Sequence, residues 1–308
     1  MKRREILGSA SAAMIGALGA SATAKAPVPN ARSKTFLFVH GAWHCSIHWG
    51  LVVERLTALG HVAVAIDLPG CGLKADYPQA YLANDPAALQ TESSALRDIG
   101  LDDYTNAAVR ALEGLAREHG TVTLVGHSFG GLTITRTAER RPDLVSRLVY
   151  LTAFCPTQWP SGDAYALLPE NGSSLIGPAM IGDPAKIGAY RLNVRSTDRA
   201  YLELCRKAFY NDLPMDTFLR FAAYLNADAP AKASSEDARG TTARWGRVPR
   251  SYVRCTLDQA LPLVLQDRMI READALTPSN RFDVHTLESS HSPFASMPDK
   301  LARLLAGI

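Results

Sequence analysis

Apolar residues follow two alternating patterns along this chain. Stretches of strand length that are rich in apolar residues, which predict strands, cover residues 36–39, 62–66, 121–125, 148–152, 252–255 and 282–287. Apolar residues spaced three or four apart predict helices near residues 52–59, 104–115, 132–140, 261–273 and 295–305. Because several of these stretches are continuously apolar and a helix follows nearly every strand, we predict an α/β fold. It should contain a mostly parallel sheet of about six strands with helices on both faces.

The stretch from about residue 156 to 247 interrupts this alternation. It contains no apolar run of strand length, and its helical fragments carry the aromatic residues Tyr201, Phe209, Phe218, Phe221 and Tyr224. We therefore predict a helical cap inserted between the fourth and fifth strands of the sheet. Since no internal repeat or long linker divides the chain, residues 27–308 should form one domain that includes this cap.

Composition and charge exclude several classes of protein. The chain has 308 residues, of which 47% are hydrophobic and 20% charged, values typical of globular proteins rather than collagenous, disordered or polytopic membrane proteins. A net charge of +3 would favour nucleic acid as a partner if the basic residues clustered in the folded part. The whole excess instead lies in residues 1–26, and residues 27–308 carry equal numbers of acidic and basic side chains. No nucleic-acid partner is therefore expected.

Residues 1–26 have the pattern of an export signal. Arg3-Arg4 precedes a weakly apolar stretch over residues 6–20, and small-x-small cleavage sites end at Ala24 and Ala26. The paired arginines and the mild apolar stretch favour the twin-arginine pathway. An uncleaved membrane anchor is the alternative, although a stretch rich in alanine and glycine is a poor spanning helix. We therefore expect a periplasmic or secreted protein without stable membrane association after cleavage, and its oligomeric state stays open.

The five cysteines are too few and too scattered to form a disulfide scaffold. We expect most of them to be buried free thiols that pack as small apolar side chains. Their positions are Cys45, Cys71, Cys155, Cys205 and Cys255.

A glycine-rich hexapeptide joins the third predicted strand to its helix. Its sequence, Gly126-His127-Ser128-Phe129-Gly130-Gly131, matches the G-x-S-x-G pattern in the strand–turn–helix context of a nucleophile elbow. The glycines permit a tight turn and a close approach of strand to helix, which lift the serine hydroxyl off the sheet. We therefore predict that Ser128 is a nucleophile; the alternative is a purely structural turn.

A serine nucleophile needs a base, and the base needs an acid that fixes its tautomer. His291, in the loop after the sixth strand, lies at the ligand-binding edge of the predicted sheet and is the best base. Asp258 follows the fifth strand and precedes His291, the chain order that this elbow requires. The competing interpretation of Asp258 is a helix N-cap. Asp163 in the cap is the other loop acid to test, whereas Asp283 and Glu288 belong to the sixth strand.

Acyl transfer also needs donors directed at the developing oxyanion. The backbone N–H groups of Ala42, in the loop after the first strand, and of Phe129, directly after the nucleophile, are the predicted pair. The predicted substrate-binding residues are Gly41, Trp43, His44 and Trp159.

The chemistry inferred from these residues is the hydrolysis of a carboxylic ester. Leu167, Leu168, Met180, Ile181 and Trp245 suggest an apolar pocket, so the predicted substrate is a small to medium hydrophobic ester. No metal or organic cofactor is expected, because the chain has neither metal-ligand spacing nor a phosphate-binding loop. The need for a neutral His291 predicts a rate that rises between about pH 6 and 8.

Taken together, these motifs resemble the α/β-hydrolases over about residues 34–308. The segment from His40 to His44, Trp49 and the segment from Pro249 to Asp258 are similar to the plant methylesterase and hydroxynitrile lyase group. Residues 290–294 and Met297-Pro298 are closer still to bacterial carboxylesterases of the pyrethroid-hydrolase type. The resemblance implies a triad of Ser128, Asp258 and His291, with Ala42 and Phe129 as the oxyanion donors.

Two departures from the lyase pattern favour hydrolysis. The lyases carry threonine where this chain has Gly41, and lysine where it has Ser292 directly after the predicted base. Without that lysine nothing evident would stabilise a departing cyanide. The loop over residues 71–100 is longer than the plant enzymes suggest. A lactonase, a lyase and a non-catalytic ligand-binding protein remain alternatives.

Overall fold

The computed structural model of the protein describes residues 33–308, so the predicted export signal lies outside the described residues. Within that range the strands are β1 (Thr35–Val39), β2 (Val62–Ile66), β3 (Val122–His127), β4 (Val145–Leu151), β5 (Ala189–Arg191), β6 (Asp228–Pro230), β7 (Arg250–Cys255) and β8 (Asp283–Leu287).

Six of these strands form a parallel sheet in the order β2-β1-β3-β4-β7-β8, which confirms the predicted architecture. Val39 pairs with Ile66 on one side and with Gly126 on the other, so β1, β2 and β3 reach the same edge together. The loops that leave β1, β3, β4, β7 and β8 meet along this edge, where parallel sheets bind their ligands. Strand β4 begins three residues earlier than predicted, because polar Ser146 and Arg147 interrupt its apolar pattern.

Helices cover both faces of the parallel sheet. The α-helices are α1 (Gly50–Ala58), α2 (Gln79–Ala83), α3 (Pro86–Leu89), α4 (Leu101–His119), α5 (Gly130–Arg140), α6 (Gly162–Ala166), α7 (Ile176–Ala179), α8 (Pro184–Ile187), α9 (Arg199–Tyr210), α10 (Met215–Ala222), α11 (Ala231–Ser235), α12 (Leu263–Leu276), α13 (Pro293–Ser296) and α14 (Pro298–Gly307). Short 3₁₀ turns lie at Ser46–Trp49, Gly72–Lys74, Pro142–Leu144, Pro169–Asn171 and Trp245–Arg247.

Alternate residues of each central strand pack into separate cores. In β1, Phe36 and Phe38 belong to the core built with α1 and α14, whereas Leu37 and Val39 belong to the core built with α4, α5 and α12. Because successive strand side chains point to opposite faces, a continuously apolar strand must be covered on both sides. The sheet therefore lies between two helical layers, and the loops at its carboxyl edge are held by both cores.

The segment between β4 and β7 differs in one respect from the prediction of a helical cap. Besides short helices it contains the antiparallel pair β5–β6, three residues per strand. These strands are too short for an apolar run, and they carry Arg191 and Asp228. The two side chains form a buried bidentate ion pair, with Nε–Oδ1 and Nη2–Oδ2 distances of 2.6 and 2.7 Å.

Arg191 also ties this segment to the long loop that precedes α4. Its Nη1 donates to the carbonyl oxygens of Leu89 and Glu92, each at 2.7 Å. One buried guanidinium therefore joins β5, β6 and the loop over residues 71–100.

The five cysteines are buried and free within the part of the chain that the structure describes. No helix of residues 33–308 combines the length and the apolar character needed to cross a bilayer.

Candidate active site

Ser128 stands at a sharp turn between β3 and α5. Its backbone has a φ of +52°, in the left-handed region that is unfavourable for a residue with a side chain. Its carbonyl oxygen accepts hydrogen bonds from the amides of Gly131 and Phe154, both at 3.0 Å, which hold the turn in place. A Cβ on Gly130 would lie 2.6 Å from the Val39 carbonyl oxygen, so only glycine lets the helix start so close to β1. The turn has the geometry expected of a nucleophile elbow.

His291 and Asp258 form a buried pair beside this turn. His291 Nδ1–H donates to Asp258 Oδ2 at 2.6 Å, and the side chains are 1% and 0% exposed. This hydrogen bond places the ring proton on Nδ1 and leaves Nε2 as the proton acceptor. His127 Nε2–H donates to the His291 carbonyl oxygen at 2.8 Å, which fixes the histidine loop against the residue before Ser128.

Asp258 accepts four hydrogen bonds. Oδ1 accepts from the amides of Ala260 and Leu261 at 2.7 and 2.8 Å. Oδ2 accepts from Thr152 Oγ1 at 2.5 Å as well as from His291. Asp258 caps a turn rather than the helix itself, because α12 begins only at Leu263. It therefore holds its own loop with one oxygen and the imidazole with the other.

The other acids considered from sequence lie elsewhere. Asp163 Oδ1 accepts from the Tyr190 hydroxyl at 2.5 Å. The side chain of Asp283 is 55% exposed and lies 3.9 Å from Arg147, and Glu288 is exposed. The structure brings Asp258, and none of these three, to His291.

Two residues that position the pair were not predicted from sequence. Thr152 directly follows β4 in a left-handed conformation, with a φ of +35°, and donates to Asp258. Asp212, after α9, accepts from the Ser290 amide at 2.9 Å and from Ser289 Oγ at 3.3 Å. The one signal for Thr152 is its place at the end of the strand between those that carry Ser128 and Asp258. Asp212 is remote in sequence and carries no such signal.

The predicted oxyanion donors lie beside Ser128. Ala42, Phe129 and Ser128 line the same cavity. Within residues 33–308, neither the Ala42 nor the Phe129 backbone N–H donates to another group. A Cβ on Gly41 would lie 2.7 Å from Ser128 Cβ, so the loop after β1 can approach the elbow only with glycine at this position. Both predicted donors therefore belong to residues that line the cavity with Ser128, and their amides have no acceptor among the described residues.

The cavity at Ser128 measures about 780 Å³ including its open mouth. Its wall is mainly apolar and includes Trp43, Phe154, Ile176 and Met180. This mainly apolar lining with a few polar groups is typical of small-molecule sites.

Three of the predicted substrate-binding residues do not line this cavity. Trp159 is 38% exposed and lies outside the cavity. The prediction missed this because the sequence pattern of the cap does not show which way an aromatic side chain faces. Gly41 lies behind Ser128. His44 is buried, with Nδ1 2.8 Å from the Ala42 carbonyl oxygen and Nε2 2.9 Å from the Tyr210 hydroxyl, so it supports the oxyanion loop.

Buried neutral histidines surround the site. Burial lowers the pKa of His40 and His48, the latter to about 4, and holds the pKa values of His44 and His127 well below the ordinary value. These rings therefore stay uncharged at neutral pH and hold the surrounding loops through hydrogen bonds. His40, for example, accepts from the Leu68 amide at 3.1 Å through Nε2.

The comparisons with known proteins agree with this geometry. A model described as "Alpha/beta hydrolase family" matches residues 36–304, and the chain belongs to that family. Methylesterase 18 of Arabidopsis thaliana is 30% identical, with 88% of this chain and 95% of the relative covered. The pyrethroid hydrolase of Sphingobium wenxiniae is 25% identical, with 88% and 85% covered.

A solved structure shows the same fold. The crystal structure of a pyrethroid hydrolase from Sphingobium faniae has a TM-score of 0.67 and 23% identity, over 90% of this chain and 97% of the other. The expected resemblance to plant methylesterases and bacterial pyrethroid hydrolases is confirmed. The chain is accordingly a hydrolase of the carboxylesterase type.

Proposed function

We propose that the protein is a serine hydrolase that cleaves carboxylic esters through an acyl-enzyme intermediate. The observation that carries this proposal is the 2.6 Å hydrogen bond between His291 and Asp258, anchored beside the strained turn of Ser128. The free amides of Ala42 and Phe129 at the same cavity supply the remaining requirement of acyl transfer.

In the proposed acylation step, His291 Nε2 takes the proton of Ser128 Oγ while Oγ attacks the ester carbonyl carbon. The two free amides hold the resulting oxyanion, and Asp258 stabilises the imidazolium. The imidazolium then protonates the leaving alkoxide, which departs as the alcohol. Water attacks the acyl-enzyme with His291 again as base, so the acid is released and Ser128 is restored.

The proposed substrate is an ester of small to medium size with hydrophobic groups. The mainly apolar wall of the cavity supports this class. The names of the relatives, a methylesterase and a pyrethroid hydrolase, also favour esters with an apolar acid or alcohol.

The geometry at Gly41 favours hydrolysis over lyase chemistry. No side chain fits there without displacing Ser128, because its Cβ would lie 2.7 Å from the serine Cβ. The threonine found in the resembling lyases therefore has no counterpart in this loop.

Labelling with a fluorophosphonate probe tests the serine mechanism. We expect the wild-type protein to be labelled and Ser128→Ala to remain unlabelled while both show the same thermal unfolding. An unlabelled wild type that binds ligands tightly would indicate a non-catalytic binding protein. Cyanide release from a cyanohydrin would instead indicate hydroxynitrile lyase activity. Profiling activity over acyl and alcohol chain lengths then defines the substrate.

We also propose that residues 1–26 direct export by the twin-arginine route to the periplasm or the medium. Replacing Arg3-Arg4 by Lys-Lys should leave the precursor in the cytoplasm in a fractionation experiment. Unchanged export would refute this route and leave the proposed ester hydrolysis intact.

A further inference from the structure

The cavity at Ser128 contains one carboxylate that the proposed mechanism does not use. Among the described residues that line it, Asp163 is the only one with a charged side chain. It lies in α6, near the start of the segment between β4 and β7, and it forms no hydrogen bond with His291. Since an acid in a mainly apolar wall is costly to desolvate, its presence there calls for a role.

The hydrogen bonds of Asp163 leave part of its carboxylate free. Oδ1 accepts from the Tyr190 hydroxyl at 2.5 Å, and no Lys, Arg or His of residues 33–308 forms an ion pair with it. Burial and the bond to Asp163 raise the pKa of Tyr190, so this phenol remains a donor at neutral pH. Trp43 Nε1–H donates to the Tyr190 carbonyl oxygen at 2.8 Å, which fixes the position of Tyr190. The tyrosine therefore holds one carboxylate oxygen in place, and Oδ2 remains to meet a ligand.

We propose that Asp163 is a specificity-determining residue that selects esters with a hydrogen-bond donor, a hydroxyl or an ammonium group, and rejects esters with a carboxylate. This inference rests on the proposed ester hydrolysis at Ser128. A donor on the substrate repays the desolvation of the carboxylate, and a positive donor adds Coulomb attraction. A carboxylate on the substrate would be repelled by Asp163, and no cationic side chain among the described lining residues would offset this repulsion.

Two series of esters test the proposal from either side of the scissile bond. Methyl 3-phenylpropanoate carries its phenyl ring on the acyl side, and benzyl acetate carries it on the alcohol side. In each series the para position of the ring bears a methyl, hydroxymethyl, aminomethyl or carboxylate group. We expect kcat/KM for the aminomethyl and hydroxymethyl esters to exceed that for the carboxylate ester by about tenfold or more in at least one series. Equal kcat/KM values across both series would overturn the proposal.

Variants then assign the selection to this side chain. Asp163→Asn keeps the shape and an acceptor for Tyr190 but removes the charge, so the ratio of aminomethyl to carboxylate ester should fall about tenfold. Asp102→Asn removes a charge from the exposed surface of α4, where the side chain is 73% exposed, and should leave the ratio as in the wild type. Tyr190→Phe leaves Asp163 charged but removes the donor that holds Oδ1, so the ratio should fall less than in Asp163→Asn. A ratio unchanged by Asp163→Asn would overturn the assignment.

Binding measurements separate this inference from the proposed function. In Ser128→Ala, calorimetry should give a Kd for the aminomethyl ester about tenfold lower than for the carboxylate ester. If the para-methyl esters are hydrolysed but neither the ratio nor the Kd responds to Asp163→Asn, only the specificity role fails. If no ester is hydrolysed and the probe does not label Ser128, the proposed function itself fails.

Discussion

Replacing Thr152 by valine tests how the acid of the candidate triad is held. Thr152 Oγ1 donates to Asp258 Oδ2 at 2.5 Å, and the same oxygen accepts from His291 Nδ1 at 2.6 Å. Valine has nearly the shape of threonine and the same branching at Cβ, so the cost of the left-handed backbone, with a φ of +35°, is the same for both. The substitution therefore removes one hydroxyl donor and little else.

Two effects of the lost hydroxyl oppose each other. With one donor fewer, Asp258 Oδ2 attracts the imidazole proton more strongly, which would favour the imidazolium. However, Oδ2 then has His291 as its only partner, and the carboxylate can rotate about the fixed Oδ1. Because catalysis depends on orientation to a fraction of an ångström, we expect the loss of positioning to dominate. The expected fall in kcat is about tenfold, or about 1.4 kcal/mol in the barrier.

The same change should lower the free energy of unfolding. A hydrogen bond to a charged group contributes about 1.5–3 kcal/mol, and Asp258 is fully buried, so the loss should fall in that range. Urea unfolding measures it, and steady-state kinetics on a chromogenic ester give kcat and KM. KM should change little, because Thr152 does not line the cavity.

Thr137→Val provides the matched control. Thr137 Oγ1 is buried and donates to the Thr133 carbonyl oxygen at 2.8 Å, within α5 and away from Asp258. This variant should lose stability without losing kcat. If Thr152→Val has the kcat of the wild type, or if Thr137→Val loses as much, Thr152 does not position the acid.

Three further predictions concern other parts of the site. Asp258→Asn should lower kcat by about 10⁴-fold, and a larger loss in Asp163→Asn would show that the acid is misassigned. Gly41→Ala should abolish most activity, because the new Cβ would lie 2.7 Å from Ser128 Cβ; full activity with an unchanged melting temperature would contradict this close approach. His48 has a pKa of about 4 when folded and 6.5 when unfolded, so the unfolded chain binds more protons between these values, and stability should fall by about 3 kcal/mol as pH drops from 6.5 to 4. His48→Gln should remove that part of the slope in urea unfolding against pH, and an unaltered slope would assign it elsewhere.

The centre of the parallel sheet was predictable because β1 and β3 are buried on both faces. Continuous apolar runs identify such strands, and the G-x-S-x-G turn after β3 places Ser128 at the functional edge. Chain order and loop position also selected Asp258 and His291, which the structure brings together. These features are local, or follow from rules that hold for any parallel sheet.

Features that depend on distant contacts were not predictable. Thr152 and Asp212 act through hydrogen bonds to residues far along the chain, and no local pattern distinguishes them apart from the position of Thr152 after β4. Trp159 faces away from the cavity, and Trp245 packs in the core with the guanidinium of Arg250 4.3 Å from its ring. The segment between β4 and β7 is irregular, so it has no periodicity from which to infer where these tryptophan side chains point.

The buried pair of Arg191 and Asp228 has a consequence for protein engineering. Since the guanidinium also binds two carbonyl groups of the loop before α4, a graft that replaces only residues 152–249 by a segment without this arginine would leave the Leu89 and Glu92 carbonyl oxygens without their donor. A buried acceptor that loses its donor costs about 1–3 kcal/mol. Chimeras should therefore exchange residues 71–100 together with the segment between β4 and β7, so that Arg191 keeps its carbonyl partners.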